Sequence, residues 1–320
     1  MDQSPADLVV VQDHNRRVRN ECLLGVRLND PDLRIPKHSF VPAGTLESDK
    51  FAKDSYWETL VESVLQGSDF SSPPRDYVAA IRSGFLRVFC ILVDIGYGRY
   101  FDWFLQSGLD DLQLPFEERP SSFPTGGDAQ ALWEKFEAAQ WMFCAPPLRF
   151  FYRNRSFHSK LILPLVEVTH LGDGATASVY MVQVHPAHDM IVSDAGAVPR
   201  SSETHTYTLK RFNESDREEH YQKELKAYQI LRAPGDPPPQ LIQFFGGIKQ
   251  SERSGIFLEY ADAGNLEQFF QDHAPPRSQR EMINFFEALW ELLNAVAHIH
   301  TVGPAVSARG AGAALQPLGG

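Results

Sequence analysis

The amino-acid sequence predicts an α+β chain, with a mostly α-helical N-terminal part followed by a small β-sheet and its attendant helices. Two observations carry this. Up to about residue 150 the apolar residues recur at three- and four-residue steps, the period of a helix with one buried stripe. From about residue 161 they fall instead into short runs rich in β-branched and aromatic residues. A third observation bounds the size, since 320 residues at 43% hydrophobic suffice for two domains, each with its own core.

The elements follow in order. DSYWETLVESVLQ (54–66) sets Tyr56, Leu60, Val61 and Val64 on one stripe, with Asp54 placed to cap the start. RDYVAAIRSGFLRVFCILVDIG (75–96) follows a Pro-Pro pair and carries Val78, Ile81, Phe85, Val88, Phe89 and Leu92 at helical steps, which predicts one long buried helix. YGRYFDWFLQSG stops at Gly108, a proline- and glycine-rich loop follows, and AQALWEKFEAAQWMF predicts the next helix. Tyr100, Trp103, Phe104, Trp133, Phe136, Trp141 and Phe143 are expected in the core, because aromatics at helical steps pack. Asp110, Asp111, Glu117 and Glu118 are expected on a solvated loop, since nothing pushes their pKa values apart.

The β-prone runs are ILPLVEVTHLG, SVYMVQVHP, THTYTLKRF, QLIQFFGGIKQ and SGIFLEYAD. One helix interrupts them, ESDREEHYQKELKAYQILR (214–232), and two follow, GNLEQFFQDH and RSQREMINFFEALWELLNAVAHIH. Residues 185–203 form an oversized polar loop. The domain boundaries expected are 1–150, 161–302 and an Ala/Gly-rich unstructured tail at 303–320.

Composition excludes several roles. A net charge of −11 without a basic stripe argues against a nucleic-acid partner. The start, MDQSPADLVVVQDHNRR, has an early acid and a proline where a signal peptide needs a basic region and an apolar run. FLRVFCILVDIG is broken by Arg87 and Asp94 and falls short of the roughly 20 residues of a membrane span. Cys22, Cys90 and Cys144 offer neither a disulfide framework nor a CxxC metal site, and read as free thiols in a reducing compartment. An intracellular, cytoplasmic protein without membrane or nucleic-acid partners is the expectation.

The chemistry begins at THLGDGATASVYMV (169–182), where Gly172 and Gly174 lie between β-prone flanks, with the small Ala177 and then Val179 beyond. Small residues there let a backbone approach a triphosphate that a Cβ would obstruct. No helix opens after the loop, which argues against the Rossmann and Walker A arrangements. Lys210 in TYTLKRF is a charge on a half-buried strand and needs an anionic partner. Glu224 in the following helix can supply it, with Leu225, Tyr228 and Leu231 on the face that packs on the sheet. In IFLEYADAGNLEQFF a strand breaks into a hinge whose backbone groups can bond an adenine edge.

Through LGDGATASVY, TLK, KELKAYQIL and FLEYADAGNLEQF, the chain resembles the eukaryotic protein kinase family over roughly residues 165–300. The resemblance implies a small lobe of five antiparallel strands plus one helix, then the first helices of the larger lobe. It implies ATP as ligand, with magnesium expected for the family. Leu171, Gly172, Gly174 and Ala177 would belong to the loop over ATP, and Val179 would cover the adenine. Lys210 would contact phosphates and pair with Glu224; Leu258 would be the gatekeeper, and Glu259 and Ala261 would offer hinge backbone groups. The chain departs from the pattern at Ala177, where a third glycine is usual, and at Thr208, where alanine is usual and threonine narrows the adenine pocket. Residues 1–150 are similar to helical extensions that precede kinase domains in some filamentous-fungal proteins, notably in QLPFEERP and EKFEAAQWMFCAP.

After AVAHIHTVG the family pattern requires HRDxxxxN, DFG and APE, and the chain instead reads PAVSARGAGAALQPLGG, without Asp, Glu, Asn, Lys or His. No catalytic base and no metal ligand is available there. The expectations are a chain inactive in Ser/Thr phosphoryl transfer as written, consistent with a truncated gene model, or a non-catalytic pseudokinase or scaffold acting through its helical half. Phe285, Phe286, Leu289, Leu293, Val296 and Ile299 are then expected to leave an apolar face uncovered, so that residues 161–320 alone would aggregate.

Overall fold

In the computed structural model, which describes residues 5–65, 73–149, 154–191, 204–212, 217–232 and 238–312, the apolar stripes of the first part become helices. These are α1 (Pro5–Glu21), α2 (Asp54–Leu65), α3 (Pro74–Ala80), α4 (Leu86–Asp94), α5 (Phe101–Gln106) and α6 (Ala129–Ala139). A short antiparallel pair, β1 (Leu23–Gly25) and β2 (His38–Phe40), lies between α1 and α2 in the chain. The chain forms two compact units, the first comprising Met1–Arg149, Phe157–Val168 and Gln183–His205.

The core of the first unit is aromatic, with Trp57, Phe89, Phe101, Phe104 and Phe136 all buried. α2 turns Trp57 inward, where Tyr56 was expected. Tyr56 is only half-buried because its hydroxyl reaches His14 Nδ1 at 2.6 Å, and a ring with a polar tip settles at the core's border. Trp103 also departs from expectation; it is 45% exposed, and its Nε1–H donates to the Ser122 carbonyl.

The predicted long helix at 75–96 is broken. α3 ends, a wide turn spans Ile81–Phe85, and Gly84 at φ 147° interrupts the helical path before α4 begins. Asp111 holds the break: its N–H donates to the Gly84 carbonyl at 2.8 Å, and its carboxylate accepts from Arg87 N (3.0 Å) and Val88 N (2.8 Å). Those are amides that the start of α4 leaves without helical partners, so Asp111 is a cap and not a solvated loop residue. Burial holds its carboxyl above the ordinary range, against the lowering pull of those amides.

The loop expected at 185–203 is anchored at its start. Leu148 N donates to the His188 carbonyl (2.8 Å), Met190 N to the Leu148 carbonyl (3.2 Å), and Ala43 N to His188 Nε2 (2.9 Å). Nearby, Val26 and Leu163 exchange backbone bonds at 3.2 and 2.7 Å, and Gly25 lies so close that a Cβ would stand 2.4 Å from the Leu163 carbonyl. Residues 192–203 of that loop lie outside the described residues.

The second unit comprises Phe150–Ser156, Thr169–Val182 and Thr206–Gly320. The six-stranded sheet contains β3 (Asn154–Phe157), β4 (Leu165–Asp173), β5 (Ala177–Val184), β6 (Thr206–Phe212), β7 (Phe244–Gln250) and β8 (Arg253–Glu259), in the order β3-β7-β8-β6-β5-β4. Five of these follow the β-prone runs, and β3 is a sixth strand beyond them. β8 pairs antiparallel with β6 and β7. α7 (Arg217–Arg232) connects β6 to β7, and its Tyr221 and Leu225 form a buried cluster with Phe212, Phe244, Ile256, Leu258 and Ala177.

Two helices follow β8. α8 (Leu266–Asp272) opens on a capping box, with Asn265 Oδ1 accepting from Gln268 N (2.8 Å) and Gln268 Oε1 from Asn265 N (3.0 Å). α9 runs Gln279–Gly312. The helix therefore continues past 302, where an unstructured tail was expected. Residues 313–320 of the tail lie outside the described residues.

Candidate functional site

β4 and β5 are neighbours in the sheet and are joined through residues 174–176. The Gly174 N–H donates to the Ala177 carbonyl at 2.8 Å and closes the turn. A Cβ on Gly172 would meet nothing within 4 Å, so packing does not account for that glycine. The space it leaves is available to a ligand. Leu171 is 49% exposed at the end of β4, and Val179 is half-buried on β5. Ala177 is placed differently: its side chain is 1% exposed within the cluster beneath α7, so it contributes its carbonyl to the turn and no lining surface.

β6 supplies the next groups. Thr208 and Lys210 are two apart on one strand and so point to the same face. In the antiparallel register Thr208 lies opposite Leu258, and Lys210 opposite Ile256, so all four share that face. It is the face that α7 covers, because Ile256 and Leu258 pack with Tyr221 and Leu225. Thr208 and Leu258 are nearly buried, at 9% and 6% exposed.

Lys210 reaches Glu224 on α7, its Nζ donating to both carboxylate oxygens at 2.8 and 2.7 Å. Each side chain keeps about a quarter of its surface, 26% for Lys210 and 25% for Glu224. The ammonium is thereby oriented and only partly covered, which leaves it able to meet a second anion. The ammonium also lies over the Phe212 ring, 5.6 Å from Nζ to the ring centre.

At the end of β8, Glu259 is exposed and tied to the start of β7's approach: its N–H donates to the Gln243 carbonyl (2.8 Å), and its carboxylate accepts from Gln243 N (3.0 Å). Ala261 is exposed in the connection to α8. Thr208, Lys210, Glu224 and Leu258 thus converge on one face, and Gly172 and Leu171 stand at the strand end of the same unit.

Two residues of this region escape sequence reasoning. Tyr221, fully buried on α7, donates its hydroxyl to Asn154 Oδ1 on β3 at 2.7 Å. The available signal was Tyr221's position three residues before Glu224 and four before Leu225, the spacing of one helix face. Asn154 carries no such signal.

Among the described residues no group of three or more His, Cys, Asp or Glu side chains is placed to hold a metal ion. No described helix is long and apolar enough to cross a membrane. Cys22 is half-buried, Cys90 and Cys144 are buried, and all three are free thiols. Residues 165–306 match the family model described as protein tyrosine and serine/threonine kinase. No curated protein matches the chain.

Proposed function

We propose, from the match of residues 165–306 to the protein kinase family model, that this part of the chain binds ATP against the β4–β5 turn and the β6–β8 face. The observation that carries the proposal is the Lys210–Glu224 bond, at 2.8 and 2.7 Å. A carboxylate that holds a partly exposed ammonium in one orientation prepares it for phosphate at little further ordering cost. Lys210 would bind phosphate oxygens, Glu224 would fix Lys210, Gly172 would leave room for the phosphates, and Val179 and Leu258 would exclude water from the base. Bound ATP supplies the transferable γ-phosphoryl group. The residues fit the nucleotide; the side chains that would hold its divalent ion in the family, the Asn of the catalytic loop and the Asp of Asp-Phe-Gly, have no counterpart in the sequence.

The 320 residues contain no His-Arg-Asp and no Asp-Phe-Gly tripeptide. Phosphoryl transfer depends on the base and the metal ligands that those motifs contribute. We therefore propose that this polypeptide by itself binds nucleotide without transferring phosphate to serine or threonine. A role as a non-catalytic binding protein, with residues 1–150 as its recruiting part, rests on the same missing motifs.

Thermal unfolding of the full chain with and without ATP tests this. A ligand at about 100 times its Kd stabilises by about 2.7 kcal/mol, so ATP should raise the Tm, in EDTA as well as in magnesium. Lys210→Met should weaken the affinity about 10- to 100-fold, the worth of hydrogen bonds to a charged group. No shift with ATP under either condition overturns the proposal. Transfer of labelled phosphate to a generic protein substrate overturns the second part of it.

A further inference from the structure

We infer that Asn154 is a positioning residue: from a strand that precedes the family match at 165–306, it holds α7 through Tyr221 so that Glu224 meets Lys210. This inference rests on the nucleotide-binding reading only for its functional meaning. The geometry itself stands apart from it.

α7 lies against β7 at a point where no side chain fits. A Cβ on Gly247 would stand 2.3 Å from the Tyr221 hydroxyl and 2.9 Å from Leu225 Cδ1. The helix is thus pressed onto the strand at Tyr221, and there the hydroxyl meets β3, the neighbour of β7 at the sheet's edge. The Tyr221 hydroxyl donates to Asn154 Oδ1 at 2.7 Å, and its ring packs edge-on against Phe212 at 5.5 Å. Burial raises the phenol's pKa above its ordinary value, which keeps the proton on the oxygen that must donate it.

Glu224 is three residues beyond Tyr221, on the same side of one helical turn. A helix turn is stiff, so whatever fixes Tyr221 fixes the carboxylate that follows. The Lys210–Glu224 distances of 2.8 and 2.7 Å leave less than 1 Å before the bond fails at about 3.5 Å. A small outward shift of α7 therefore suffices to release Lys210. A second tether exists, because Lys249 on β7 pairs with Glu218 on α7 and lies over the Tyr221 ring. It grips an earlier turn of the helix and reaches it from β7, whereas Asn154 reaches it from outside the family match.

Two mild substitutions in the full chain test the inference, Tyr221→Phe, which keeps the ring, and Asn154→Leu, which removes the acceptor from an exposed position. Asn154→Asp keeps an acceptor oxygen and serves as the rescue. Three readouts are compared with the parent chain: amide hydrogen exchange along α7, the rate at which an amine-acylating reagent labels Lys210, and ATP affinity. Tyr221→Phe and Asn154→Leu should each speed α7 exchange and Lys210 labelling and weaken ATP binding, about threefold to tenfold, the worth of one hydrogen bond. The double variant should be no worse than either single one, and Asn154→Asp should resemble the parent. Faster exchange with unchanged Lys210 labelling would reduce the bond to ordinary packing and overturn the positioning role. Unchanged values in all three readouts overturn it as well. If the parent chain binds no ATP, the nucleotide reading fails, while labelling and exchange still decide this inference.

Discussion

Gly247 and Gly172 are the same residue type under opposite constraints. A Cβ at Gly247 meets Tyr221 and Leu225 at 2.3 and 2.9 Å, whereas one at Gly172 meets nothing within 4 Å. Gly247→Ala should therefore destabilise the second unit by about 1–3 kcal/mol through overpacking. Gly172→Ala should leave stability within about 0.5 kcal/mol of the parent while weakening ATP binding. Equal effects of the two on denaturation midpoints would refute the distinction. Two buried imidazoles in the first unit make a separate prediction. His14 and His188 are 1% and 2% exposed, and burial pushes both pKa values down to about 4. His14 is also lowered by Arg17 and His188 by His185. Unfolded histidines titrate near 6.5, so between about 6.5 and 4 the unfolded chain binds protons that the folded one refuses. Stability is full above pH 6.5 and falls as pH drops toward 4, by on the order of 3 kcal/mol per histidine. Urea midpoints at pH 7.5 and pH 5 check this, and His188→Gln should flatten the slope. At this scale Lys210 and Glu224 were legible because a charge on a half-buried strand demands a partner nearby in the chain. Asn154 was not, since its bond to Tyr221 spans 67 positions and no periodicity links them.

The break between α3 and α4 shows what element-level reading resolves and what it loses. The apolar repeat from Val78 to Leu92 correctly predicted buried helix, and Ile81, Val88, Phe89 and Leu92 are fully buried. It gave no sign of the interruption, because a glycine inside a helical pattern is compatible with helix and with a break alike. What decides is Asp111, which caps α4 from a loop 24 positions beyond Arg87. Gly84→Ala should cost about 1–3 kcal/mol, since φ of 147° strains any residue with a side chain although no neighbouring atom obstructs it. Asp111→Ala should cost about 0.5–2 kcal/mol, the usual worth of an N-terminal cap. If thermal melts place Gly84→Ala at or above the parent Tm, the turn is not fixed in this conformation. β3 leaves little mark in the sequence for a related reason. A strand of four residues, with only Phe157 buried, lacks the alternation that marks longer strands.

On the scale of the whole chain, the least ordinary feature is the apolar surface of α8 and α9. Phe286 and Trp290 are each 66% exposed, Leu293 61%, Phe270 53% and Val296 47%. A shallow groove of about 510 Å³ runs along α9 between Met282, Ile283, Phe286 and Trp290. The helical spacing in the sequence had already placed Phe286, Leu293, Val296 and Ile299 on an uncovered face; the structure adds Trp290 and shows Phe285 and Leu289 half-covered. A fully buried side chain of this kind is worth about 1.5–3 kcal/mol over an exposed one, so several together amount to a driving force comparable to a domain's net stability. The chain should therefore bind an anilinonaphthalene dye in its folded state and associate as its concentration rises. The triple variant Phe286→Gln, Trp290→Gln, Leu293→Gln should lose most of the dye signal and sediment as a smaller species. Its Tm should stay near the parent's, because residues that are already exposed contribute little to folding. A parent chain that melts sharply, binds no dye and sediments as one monomeric species at every concentration would show that this face is covered in solution. Loss of Tm in the triple variant would point the same way, since only a face packed against other parts of the chain would be missed on unfolding.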